Sequence, residues 1–196
     1  MENIGEELNK LFFHTYIMNN KEIELKYLVD RLPDTYDKLI YIEQIYFIKN
    51  GKEDMINRLF PGLDLNKIST YRVRKLIDDN NKSFILTLKS KAEFYTRDEY
   101  ETLIDEESYN ILKEKEESKI IKNRYIKTIN NYKFEFDEYL NLKEKLYTLE
   151  VELESEENID SITHDIEHIL SSNGYTFKNV TFDNRYKNNN LIKYFG

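Results

Sequence analysis

Apolar and polar residues alternate with period two through most of this chain. The segment Glu22-Ile23-Glu24-Leu25-Lys26-Tyr27-Leu28-Val29 puts charges on one set of alternate positions and apolar side chains on the other. That spacing predicts a strand with one polar and one apolar face. The pattern recurs in YIEQIYF from Tyr41, TYRVRKLI from Thr70, SFILTLKS from Ser83 and YTRDEYETLI from Tyr95. It returns in NRYIKTI from Asn123, YKFEFDEYL from Tyr132 and LYTLEVELES from Leu146. Asn130 and Asn131 separate two of these runs as a tight hairpin turn would, which predicts antiparallel pairing. Helical spacing interrupts the strands at Asp105 to Ser118 and at Asn158 to Ser172, the latter followed by Asn173-Gly174 in the manner of a left-handed cap. A weaker helix is expected after Pro33, in DTYDKLI. The fold class expected is mainly β (α+β): an antiparallel sheet of about eight strands with peripheral helices.

The period also fixes which residues share a face. The polar faces carry Glu22, Glu24 and Lys26; Arg72 and Arg74; Thr87 and Lys89; Arg97, Glu99 and Glu101; Arg124; Glu135 and Asp137; and Glu150 and Glu152. The opposite faces carry Ile23, Leu25, Val73, Leu86, Leu88, Tyr100, Phe134, Phe136, Leu149, Val151 and Leu153, and need a cover. Two architectures satisfy this. In an open sheet the charges face water, where cross-strand pairs contribute little. In a closed barrel the charges point inward, at a desolvation cost that only pairing offsets. A divalent cation with a polyanion supplies such pairing, because carboxylates two residues apart are hard oxygen ligands and Lys and Arg hold phosphates.

Composition narrows the classes. A chain of 196 residues, 40% hydrophobic and 14% aromatic, buries a core of its own, and with so few glycines and prolines it shows no linker or repeat. The absence of cysteine excludes disulfides, thiolate metal sites and a cysteine nucleophile, and fits a reducing compartment, so a cytoplasmic location is expected. The apolar cluster LFFHTYIM from Leu11 is too short for a membrane span and lacks the flanks of a signal peptide. Residues 1–20 are read as an N-terminal extension, a peripheral helix or strand suited to capping a barrel or to homodimerisation, ahead of one domain over 21–196. A net charge of −8 argues against nucleic acid as a partner, and no membrane association is expected.

The charged segments carry a family resemblance. Glu22-Ile23-Glu24-Leu25-Lys26 resembles the ExExK signature of the CYTH superfamily, the triphosphate tunnel metalloenzymes. YRVRK at Tyr71 is similar to the family's paired-arginine strand, LTLKS at Leu86 to its lysine strand, RDEYE at Arg97 to its R-x-E-x-E strand and NRY at Asn123 to its later arginine. FEFDEY from Phe134 and LEVELES from Leu149 resemble the closing acidic strands, and VTFDNRYKNNNL from Val180 the C-terminal segment of bacterial members. ExExK alone is a weak signal; the ordered set, spanning roughly residues 20 to 195, is a strong one.

The resemblance implies an eight-stranded antiparallel closed barrel, a tunnel with a charged interior, that hydrolyses or rearranges triphosphates with Mg2+ or Mn2+. It implies Glu22, Glu24, Glu150 and Glu152 as metal carboxylates, with Glu101 and Asp137 nearby. Lys26, Arg72, Arg74, Lys89 and Arg124 would grip phosphate, and Glu22, Glu24 and Lys26 form the catalytic set. The leading expectation is a divalent-metal-dependent inorganic triphosphatase; the alternatives are a class IV adenylyl cyclase and a noncatalytic binder of polyphosphate. Few base-stacking aromatics are evident at matching positions, which favours a small polyanion. Arg97 and Glu99 are expected to pair with each other, Glu154 to be an exposed strand end, and KEKEESK from Lys113 to be helix surface. His164 and His168, spaced i, i+4, have no third ligand in view and read as a solvated helix face. Asn184 stands where many relatives carry a lysine, leaving Arg185 or Lys187 as candidate replacements.

Overall fold

The computed structural model describes residues 18–196. The apolar cluster at Leu11 and the proposed capping or dimerising role of the N-terminal segment lie, up to residue 17, outside the described residues. The strands expected from the alternating pattern are all present: β1 (Met18–Val29), β2 (Lys38–Phe47), β3 (Ile68–Asp78), β4 (Asn81–Ser90), β5 (Thr96–Ile104), β6 (Glu116–Ile129), β7 (Tyr132–Tyr139) and β8 (Tyr147–Glu152). Hydrogen bonding runs in the order β5-β4-β3-β2-β6-β7-β8-β1, and β5 pairs with β1 to close the ring. The strand-to-strand registers are antiparallel throughout. The result is an eight-stranded closed barrel. At the β6–β7 turn Asn130 (φ 49°) and Asn131 (φ 69°) both adopt the left-handed backbone a two-residue hairpin demands, and Asn tolerates it well.

Closure sorts the two faces. Outside, Ile23, Leu25, Tyr27, Phe134, Phe136, Leu149 and Val151 are buried beneath Ile166, Ile169 and Leu170 of a helix, α3 (Ile159–Ser172). A second outer cluster packs Ile45, Phe47, Val73, Phe84, Leu86 and Leu88 against Ile56 and Phe60 at α1 (Glu53–Leu59) and Tyr109 and Leu112 of α2 (Glu106–Leu112). The third cluster sits differently. Ile120 and Tyr139 share the inward parity of their strands, and with Leu146, just before β8, they meet Val180, Tyr186 and Leu191 from the C-terminal segment. That segment comprises a ninth strand, β9 (Phe177–Asn179), paired with Tyr27–Val29 on the edge of β1 that β5 leaves after Ile23, then a 3-10 turn and α4 (Leu191–Phe195). It fills one end of the barrel with apolar side chains.

Two helix expectations need correction. The segment after Pro33 forms no helix, and Lys38 already opens β2. Asp37 explains why: its amide donates to the Ile126 carbonyl at 2.8 Å and its carboxylate accepts from the Thr128 amide at 2.7 Å, so pairing with β6 overrides local helical spacing. The helix expected over Asp105 to Ser118 runs only to Leu112. Asp105 caps its start by accepting from the Ser108 amide at 2.7 Å, but Lys115 turns left-handed (φ 60°) and Glu116 begins β6 opposite Phe47. KEKEESK is therefore a helix end, a turn and a strand start, not helix surface. The α3 helix matches its expected span, with Gly174 at φ 71° just beyond it. The pattern gave no warning of α1, β9 or α4.

Candidate active site

The polar alternate positions converge inside the barrel on a cavity of about 950 Å³. Strand β1 is its organising element. Glu22, Glu24 and Lys26 project inward because Ile23, Leu25 and Tyr27 are committed to the outer core, and a one-residue slip would exchange the two sets. The register places Glu22 opposite Arg97, Glu24 opposite Glu152 and Lys26 opposite Glu150. Arg72 and Arg74 come from β3, Lys89 from β4, Arg124 from β6 and Glu135 from β7, all lining the same space.

The interior charges hold one another. Lys89 contacts Glu22 at 2.6 Å and Glu99 at 3.0 Å; Arg97 also binds Glu22. Arg72 reaches Glu99 at 3.2 Å and Glu101 at 3.4 Å, and Arg74 pairs with Glu101. Lys26 binds Glu150 at 2.7 Å, while Arg124 engages Glu135, Asp137 and Glu150. Arg97 and Glu99 thus do not pair with each other as expected: both point inward, and each finds an opposite charge on another strand. Despite this, the buried Nε atoms of Arg72 and Arg74 have no hydrogen-bond partner among the described residues.

The carboxylates divide into two kinds. Burial pushes the Glu22 carboxyl up, but Lys89 and Arg97 outweigh it and hold the group well below the usual range. Glu150 is likewise held far down, burial being overcome by Lys26, Lys122 and Arg124. Glu24 behaves oppositely: burial, then the Glu150 and Glu22 charges, push it up to about 8. Glu152 is raised by burial and by Glu135, Glu22 and Glu99. Among the described residues neither Glu24 nor Glu152 has an ion-pair partner, and the two face each other across the β1–β8 ladder. Like charges so placed are destabilising unless a cation lies between them. No group of three or more carboxylates or imidazoles among the described residues stands ready-made as a metal site, and Glu22 and Glu150 are each held by a lysine. The donor chemistry nevertheless fits a hard divalent cation at Glu24 and Glu152, with Glu22 and Glu150 flanking.

All the residues singled out as phosphate-binding or metal-binding come together at this one cavity. Glu101 and Asp137 belong to it as partners of Arg74 and of Arg124. Glu154 is exposed beyond the end of β8, and His164 and His168 are exposed on α3. In the C-terminal segment Asn184 and Lys187 line the cavity, whereas Arg185 turns outward to Asp183 at 2.6 Å. Two participants were missed. Lys122, fully buried, binds Asp137; it shares the Arg124 face two positions earlier, and counting β6 back by two would have found it. Asn188 accepts from Lys26 Nζ at 3.3 Å and Tyr139 Oη at 2.7 Å and donates to Glu150 at 3.4 Å. Nothing in the local sequence marks it, because its place depends on the C-terminal segment folding back.

No family model matches the chain, and no curated protein does. Solved structures share its architecture. The PH1819 protein of Pyrococcus horikoshii OT3 aligns with TM-score 0.54 and 22% identity over 80% of this chain and 93% of its own. HpAC1 of Hippeastrum, an adenylyl cyclase by designation with a dominant triphosphatase activity, aligns with TM-score 0.53 and 15% identity over 80% of this chain and 90% of its own. A structure of the Schizosaccharomyces pombe Mediator head module aligns with TM-score 0.52 and 10% identity over 81% of this chain and 98% of that one. A barrel shared by such different proteins does not assign chemistry; the residues inside it must. The likeness establishes the fold.

Proposed function

We propose that this barrel hydrolyses a phosphoanhydride bond of a triphosphate, with inorganic triphosphate the smallest substrate that engages the whole charged interior and Mg2+ or Mn2+ as the metal. The observation that carries the reading is the enclosure of Lys26, Arg72, Arg74, Lys89 and Arg124, contributed by separate strands, in one cavity with the carboxylates that neutralise them. Without ligand, each cation rests on a carboxylate. A triphosphate competes for those cations, and the Arg72 and Arg74 Nε groups are donors already waiting. Its entry strips counter-charge from Glu22 and Glu150, adding them to Glu24 and Glu152, which have no ion-pair partner among the described residues. Those four carboxylates would hold the divalent cation. Bound there, such a cation supplies charge neutralisation on phosphate oxygens and a water acidified toward neutral pKa. The chain's own groups fix the phosphates in line and exclude bulk water, and for phosphoryl transfer positioning and electrostatics provide most of the acceleration. HpAC1's triphosphatase activity on the same barrel supports this reading.

The test is incubation with tripolyphosphate or ATP plus Mg2+ or Mn2+. Orthophosphate release is expected; cyclic nucleotide with pyrophosphate would instead identify a cyclase, and tight binding without turnover a binder. Glu24→Ala and Glu152→Ala are each expected to lower turnover by about 100-fold or more, the scale at which a key electrostatic group is missed, with an unchanged circular dichroism spectrum. Full activity in both variants would remove these carboxylates from the mechanism.

A further inference from the structure

The rim of the cavity differs from its interior. Glu93 and Thr96 exchange backbone hydrogen bonds at 2.8 and 3.0 Å, so Phe94 and Tyr95 are the two central residues of a tight turn joining β4 to β5. Such turns ordinarily place Gly, Asn or Asp at their centre. Here Phe94 adopts φ 55°, a left-handed conformation strained for a bulky side chain, and its ring is 90% exposed. Across the rim, Phe182 from the C-terminal segment is 60% exposed and packs against Tyr95 with ring centroids 4.6 Å apart. All three rings line the cavity that holds the phosphate-binding cations. Strained residues of this kind concentrate at binding sites and ligand clamps.

We propose that Phe94, Tyr95 and Phe182 form a stacking subsite at the cavity mouth, and that the substrate is a nucleoside triphosphate whose base lies on these rings while its phosphates occupy the charged interior. This rests on the triphosphate reading of the cavity and adds the organic end of the substrate. Charges inside grip phosphate and say nothing about what is attached to it; exposed aromatic faces bind a flat heterocycle through stacking that tolerates any base. Inorganic triphosphate makes no use of such rings, so its binding is insensitive to them.

The experiment compares ATP, CTP and tripolyphosphate, each with Mg2+, in wild type, Phe94→Ala, Phe182→Ala and Phe94→Trp. Phosphate release gives KM, and calorimetric titration gives affinity. Both alanine variants are expected to weaken ATP by about tenfold and CTP by less, as removal of one stacking partner does, with tripolyphosphate within about twofold and Phe94→Trp restoring ATP. Parallel changes for ATP and tripolyphosphate, or none for either, would overturn the subsite. So would a shift in oligomeric state by light scattering in Phe94→Ala, which would make the rings a subunit contact. If no compound is turned over, the hydrolytic reading fails, yet the calorimetric comparison still decides the stacking subsite.

Discussion

Glu24 shows how burial and neighbours set the behaviour of a single residue. Its carboxyl is driven up to about 8 from an ordinary value of 4.5. Between those values the folded protein binds a proton that the unfolded chain does not, so in metal-free protein this residue costs stability progressively as pH rises, with the full cost above about pH 8. Glu24→Gln removes the cost. Its melting temperature relative to wild type is expected to improve more at about pH 8.5 than at about pH 5, by roughly 3–5 °C for each pKa unit actually realised. An equal difference at both values in EDTA-treated protein would show that Glu24 ionises freely. The sequence made Glu24 visible through its ExExK spacing. It did not reveal that Glu22, two residues away, is held by Lys89 and Arg97 while Glu24 is held by nothing among the described residues. That difference arises across strands, from β4 and β5, and no local pattern contains it. Lys122 was legible by its parity with Arg124; Asn188 was not legible by any.

The strand and helix elements divide the work between two faces. Period-two alternation was readable because each strand is half committed to a dry outer core and half to a charged interior. The expected outer face was correct down to Leu25, Phe136 and Val151 packed beneath α3. This separation has a measurable consequence. Ile166, fully buried on α3, touches the outer core and not the cavity. Ile166→Ala is expected to cost about 2–5 kcal/mol in unfolding free energy while leaving KM for tripolyphosphate unchanged. A changed KM with unchanged stability would mean that the helix supports the interior directly. The elements missed were those with little periodicity: α1 and α4 are one or two turns, and β9 spans Phe177–Asn179, paired with Tyr27–Val29 on the edge of β1 that β5 leaves after Ile23. The elements misread, after Pro33 and from Lys113, had helical spacing that long-range pairing with β6 and β2 overrode.

At the scale of the molecule the interior is an ion-pair network waiting to be exchanged for another. Burying so many charges together is costly unless each is compensated, and the described structure compensates most of them internally. A polyanion must displace those contacts, so its affinity is electrostatic and sensitive to salt. Arg72→Ala is expected to raise KM for tripolyphosphate by about tenfold at low ionic strength and by less as salt screens the remaining field. A KM that neither changes with the substitution nor depends on salt would place the substrate elsewhere. No described helix is long and apolar enough to cross a membrane.

The sequence by itself determined the strands, their two faces and the identity of the charged set, because alternation and residue type are local properties that survive any arrangement of the strands. Whether those charges lined a barrel or an exposed sheet was decided by the β5–β1 pairing, a contact between distant segments. The tertiary structure alone also decided which carboxylates are paired and which lack a partner among the described residues, and that the C-terminal segment packs into one end of the barrel and carries Phe182 against Tyr95 at the rim. Such facts depend on which side chains become neighbours in space, and burial then magnifies the electrostatic difference between having a partner and lacking one.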